Sequence, residues 1–171
     1  ILKIGGMQLF QSEFSSKDEK VLPRTTKIAT GIGFVYIALT IICSFALFSS
    51  GLTFFDSLAH GMTIIATGGF STKDMSIGFF DSLYTEVVTI SFMVISSLPF
   101  ILLFQALTGK FYDLLKNSQV QFFVILVTFV TIIVAFWLKR YYEVDFLQSL
   151  RIAAFAVVSI TTGSGFSTYD F

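Results

Sequence analysis

Between Ile28 and Phe48 the chain carries no charged residue. Wound as a helix at about 1.5 Å per residue, such a stretch can cross the hydrocarbon core of a bilayer. Two more runs qualify: Leu83 to Leu107, with Glu86 as its one charge and Pro99 inside it, and Val120 to Leu138. Charged residues make up only 13% of the chain, too few to cover a soluble domain, and mean hydropathy is +0.82. The reading is an all-α, multi-pass integral membrane protein with lipid as its main neighbour. Formal net charge is zero, so no nucleic-acid or acidic partner is expected.

Two apolar segments are too short to span. Phe54 to about Ala66 and Phe146 to about Thr161 each follow a full span and a polar turn, and each stops at glycines: Thr67-Gly68-Gly69 and Gly163-Ser164-Gly165. Segments of this length read as re-entrant half-helices. The residues after the two breaks also match. Gly69-Phe70-Ser71-Thr72-Lys73-Asp74 returns as Gly165-Phe166-Ser167-Thr168-Tyr169-Asp170, identical at five of six positions. The chain therefore holds one unit twice: membrane helix, half-helix, glycine-rich loop. Pro99 predicts a kink in the third span, and Thr108 to Ser118 reads as a loop.

Irregular backbone at membrane depth persists only where protein buries it or where it lines water. A ring of backbone carbonyls can replace part of a cation's hydration shell, and glycine supplies the conformations that aim them. Ala66, Thr67, Gly68 and Gly69 are the candidate ion-binding residues in the first loop, and Thr162, Gly163, Ser164 and Gly165 in the second. Thr67, Thr162 and Ser164 could add hydroxyl oxygens. The partly negative C-terminal end of each half-helix favours a cation beside it. A plain packing turn is the competing reading of either loop alone.

Lys17, Lys20, Arg24 and Lys27 before the first span read as cytoplasmic. With both half-helices re-entrant, the outer side carries Asp56, Asp74, Asp81, Glu86, Glu143, Asp145 and Asp170 against Lys73, Lys139, Arg140 and Arg151. That excess of acid would concentrate cations. Lys110 and Lys116 then fall inside, and the charge rule alone does not decide the topology. His60 reads as a packing or interface residue, Glu86 as a capping or hydrogen-bonding group, and Arg151 as a side chain reaching the interface. Phe70 and Phe166 read as packing anchors. Cys43 reads as a small core residue, and one His with one Cys makes no ordinary metal site. The chain starts at Ile1 and closes just after a polar loop, which reads as a fragment, with no signal-peptide pattern.

Gly5-Gly6-Met7-Gln8-Leu9-Phe10 with Glu13 and Pro23-Arg24, then Ala66 to Thr72, then Ser159 to Thr168, resemble in order three motifs of the TrkH/KtrB-type potassium uptake family. The resemblance implies repeated membrane helix–pore helix–filter loop–membrane helix units, like those of potassium channels. On that basis residues 1–27 would close the first repeat and form a cytoplasmic linker. Residues 28–108 would be the second repeat, and 109–171 the third as far as its filter. It also implies K⁺ as the transported ion, bound at those eight loop residues, with no cofactor. A homodimer in the bacterial inner membrane on a cytosolic, nucleotide-binding, TrkA-like regulatory subunit is the implied assembly. Ser96-Ser97-Leu98-Pro99-Phe100 departs from the Gly-Gly-Asn-Phe often found there in the family.

Two other functions compete. A Na⁺/K⁺ secondary transporter with a midplane site at broken helices would favour ionisable residues deep in the spans, which are nearly free of them. A hydrolase using Ser164 would need a base, and His60 is the only histidine. No enzymatic activity is expected.

Overall fold

A computed structural model describes residues 25–142 and 145–168, and within them every regular element is helical. The motif Gly5 to Arg24, Glu143, Tyr169 and Asp170 lie outside the described residues. Helix α1 runs Thr25–Ser49 and α2 Phe54–Ile65. A short 3₁₀ turn, Ser76–Phe80, leads to α3, Leu83–Ser96. Helices α4 (Phe100–Gln105) and α5 (Phe111–Lys116) are joined by a wide turn, and α6 (Ser118–Tyr142) and α7 (Phe146–Thr161) follow.

Helices α1 and α6 are long and apolar enough to cross a membrane. At about 1.5 Å per residue, α2 and α7 reach about 18 and 24 Å, short of the roughly 30 Å hydrocarbon core. Each packs beside the long helix before it, α2 on α1 and α7 on α6. The α1–α2 contact is close because Gly61 lies against Ser44, leaving no room for a Cβ. Small residues allow such approach where the surrounding lipid is as apolar as the side chains. Cys43, Leu47, Ile64, Met93, Phe155 and Phe166 share one buried core among α1, α2, α3, α7 and the second loop. Cys43 is fully buried, as expected of a core residue.

The third span differs from its expected form. It is two helices, Leu83–Ser96 and Phe100–Lys116, bent by 98° at Ser97–Pro99. Proline offers no N–H and disfavours helical backbone in Leu98, so α3 ends and Pro99 starts a new helix instead of kinking the old one. Beyond the bend α4 lies against α1: Phe104 packs on Gly31, and the Phe100 and Tyr36 ring centroids are 6.2 Å apart. Residues 108–116, expected as loop, are largely helical, with the irregularity confined near Gly109 at φ 97°.

Candidate ion pathway

The two glycine-rich loops share most of their backbone pattern at positions 96 residues apart, and differ at one: Gly68 N–H donates to Thr63 O, whereas on the second loop Gly165 N–H reaches Ser159 O. Ala66 N–H donates to Met62 O as Thr162 N–H donates to Val158 O. Thr67 N–H bonds Ile64 O as Gly163 N–H bonds Ile160 O. Thr67 and Gly163 are left-handed at φ 51° and 74°, and Gly69 and Gly165 at 69° and 75°. A hydroxyl behind each loop holds the carbonyl after the last glycine: Thr63 Oγ1 donates to Phe70 O at 2.9 Å, and Ser159 Oγ to Phe166 O at 2.7 Å. Sequence reading missed these two hydroxyls. The available signal was a hydroxyl residue six positions before each Gly-Phe pair.

Thr67 is the strained member of the set. A β-branched residue in the left-handed region is an outlier, and its counterpart is glycine. Such strain persists where the surroundings over-determine the backbone, commonly at functional sites.

The loops touch one another. A Cβ on Gly69 would run into the carbonyl of Ser164, and Gly78 N–H donates to Ser167 O at 3.2 Å. Ser167 N–H in turn reaches Ser76 Oγ at 3.3 Å. Ser164 is buried, while Ala66, Gly68, Gly163 and Gly165 are exposed. The hydroxyls of Thr162 and Ser164 bond each other at 2.8 Å, and Thr162 Oγ1 also donates to Val158 O. Those two hydroxyls therefore brace the loop. Phe166 is buried as an anchor, but Phe70 is 76% exposed and packs on nothing comparable among the described residues.

Behind the first loop stands a polar network that α2 positions. Thr53 caps the helix: its hydroxyl accepts Asp56 N–H at 3.1 Å and donates to the Asp56 carboxylate at 2.8 Å. Thr72 donates to the same carboxylate at 2.5 Å, and Lys73 Nζ lies 3.5 Å from it. The bonds from Thr72 and then Thr53 hold the Asp56 carboxyl below the usual carboxylate range against the opposing effect of burial, with Lys73 adding to them. His60, fully buried, places Nδ1 2.7 Å from Asp56 O and Nε2 2.9 Å from Ser71 Oγ. A carbonyl can only accept, so Nδ1 carries a proton, and Nε2 shares a hydrogen bond with the Ser71 hydroxyl. The ring also packs against Phe80 and Phe166, centroids 5.4 and 6.3 Å away. His60 thus bears on both loops, a larger part than the packing role read from sequence.

Of the two roles read for Glu86, the structure shows the hydrogen-bonding one, since Ser82 caps α3 and Glu86 accepts from Arg151. Arg151 does not reach for the interface: its Nε and guanidinium Nη2 donate to the two oxygens of Glu86 at 2.6 and 2.7 Å. The partners are 65 residues apart, and each had a sufficient local explanation.

Half-helices aimed at paired, left-handed glycine loops within a helical membrane fold define a class: membrane transport proteins built from repeated span–half-helix–loop units. Residues 1–171 match the family described as TrkH, cation transport protein, and the chain belongs to that family. It is 40% identical over 179 residues to the Trk system potassium uptake protein TrkH of Halomonas elongata, covering 99% of this chain. Identity is 35% to the TrkH of Escherichia coli K12 and 30% to its TrkG. The chain spans 36% of the length of these relatives. The crystal structure of the potassium transporter TrkH from Vibrio parahaemolyticus superposes on 88% of this chain with a TM-score of 0.80 and 31% identity, over 33% of its own length.

Proposed function

We propose that this chain supplies two neighbouring segments, Ala66–Gly69 and Thr162–Gly165, of a carbonyl-lined, potassium-selective filter in the membrane subunit of a Trk-type uptake system. The observation that carries the reading is the contact between two loops that share left-handed backbone at both matched positions and the same helix-end hydrogen bonds. Paired loops of this kind would suit a quasi-symmetric ring of carbonyls. The potassium uptake named in the relatives supports K⁺ as the ion. On this reading residues 28–108 form one pore unit and 109 onward the next, after a linker ending at 27. The protein works as a homodimer in a bacterial inner membrane with a cytosolic TrkA-like regulatory partner.

Flux tests it. In vesicles containing a full-length TrkH protein that carries this sequence, radioactive rubidium uptake is expected to fall when unlabelled K⁺ competes and to persist in equal Na⁺. It is also expected to run without a Na⁺ gradient. Equal competition by Na⁺ would remove the potassium assignment. Strict dependence on a Na⁺ gradient would favour a secondary transporter instead, a reading to which the broken α3–α4 helix lends some support.

A further inference from the structure

The Glu86–Arg151 pair lies outside both loops, yet it joins the elements that carry them. Glu86 sits in the first turn of α3 and Arg151 in the second turn of α7. The Glu86 side chain is only 6% exposed, and both its oxygens are held by one planar guanidinium. Two parallel bonds fix an angle as well as a distance, which a single ammonium contact does not.

At its other end α3 meets the first half-helix: Ser96 Oγ, bonded to Met93 O of its own helix at 3.0 Å, also reaches Ile64 O at 3.3 Å, just ahead of Ala66. Helix α3 is therefore referenced to α2 at one end and to α7 at the other. The arginine is not a repeated feature of the unit. Its counterpart 96 residues earlier is Phe55, which is exposed. Within this chain the pair joins the first unit to the second.

We infer that Glu86 and Arg151 are positioning residues that set the tilt of α7, and through it the placement of Thr162–Gly165 against Gly69. This rests on the reading of the two loops as a filter. Arg151 is about 16 Å along the helix from Thr162, at about 1.5 Å per residue. A change of tilt at the clamp therefore shifts the loop sideways, where Ser164 already abuts Gly69. Ion discrimination depends on where those carbonyls stand, so the clamp acts on selectivity.

The test is the ratio of K⁺ to Na⁺ competition against rubidium uptake in the full-length protein, measured alongside its abundance in the membrane. The main variant is the double E86Q/R151M, which removes the clamp without leaving a buried charge unpaired, a change that often costs little stability. The expected result is normal abundance with the K⁺/Na⁺ ratio lowered on the order of tenfold, the scale seen when a group that orients a ligand is lost. R151K, which keeps charge but loses the planar fork, is expected to fall between the double variant and wild type. A wild-type ratio in the double variant would overturn the inference. So would its failure to reach the membrane, which would make the pair an assembly element. G69S run in parallel separates the two claims. If G69S keeps the wild-type ratio, the filter reading itself fails; if G69S loses it while E86Q/R151M keeps it, only the clamp is wrong.

Discussion

Gly69→Ala is expected to abolish potassium-limited growth of a transport-deficient bacterium, while Gly165→Ala leaves measurable growth. Both glycines are left-handed, at φ 69° and 75°, so any side chain at either costs about 1–2 kcal/mol of backbone strain. Their surroundings differ. A methyl group on Gly69 meets the backbone carbonyl of Ser164, which cannot swing aside as a side-chain end could. Beyond its two chain neighbours, nothing described lies within 4 Å of where a Cβ on Gly165 would stand. The Gly69 variant must therefore push two loops apart, and on the filter reading those loops share the ion. Growth curves at limiting K⁺, with immunoblots for abundance, give the comparison. Equal growth of both variants would mean that the loop–loop contact is a packing detail.

Gly61→Val is the substitution expected to remove the protein from the membrane. The half-helix α2 touches α1 at this residue, where a Cβ would lie against the Ser44 hydroxyl and within 3.0 Å of the Ser44 backbone nitrogen. The hydroxyl can rotate; the nitrogen cannot. Forcing the helices apart costs about 3 kcal/mol from overpacking. Set against a whole stability of about 5–15 kcal/mol, that cost takes a large share. It also unseats the core around Cys43, Leu47 and Ile64. Gly33 is the control, since nothing lies within 4 Å of its position. Gly33→Ala is expected to be neutral or to stabilise by about 1 kcal/mol through helix propensity. Thermal unfolding in detergent separates the pair. A Gly61→Val protein as stable as wild type would contradict this close α1–α2 packing.

The helices were legible where a single physical rule governed them. The half-helices end within a residue of the expected stops because Ala66 and Thr162 are followed by residues that take left-handed backbone. The internal repeat pointed to the loops directly, and the left-handed positions repeat with it at Thr67/Gly163 and Gly69/Gly165. Contacts between distant segments were hidden from the sequence. Pro99 pointed to a kink, but neither the 98° bend nor the seating of Phe104 on Gly31 beyond it is written in the local sequence. Residues 108–116 looked like a loop because Gly109, Lys110 and Lys116 are loop-like in isolation, yet the chain stays mostly helical on both sides of Gly109. Glu86 and Arg151 each satisfied a local rule, so nothing in either neighbourhood advertised the other. Nor does the sequence show that the hydroxyls of Thr162 and Ser164 hold each other, a contact only three-dimensional proximity reveals.

Joint binding of a permeating cation by the two loops is tested most directly by anomalous diffraction. Crystals of the full-length protein would be soaked in thallium, a K⁺ substitute with strong anomalous scattering. A peak between Ala66–Gly69 and Thr162–Gly165, reduced by competing K⁺ and unaffected by Na⁺, is the expected result. Bound thallium elsewhere in the membrane region with none between these loops would contradict it.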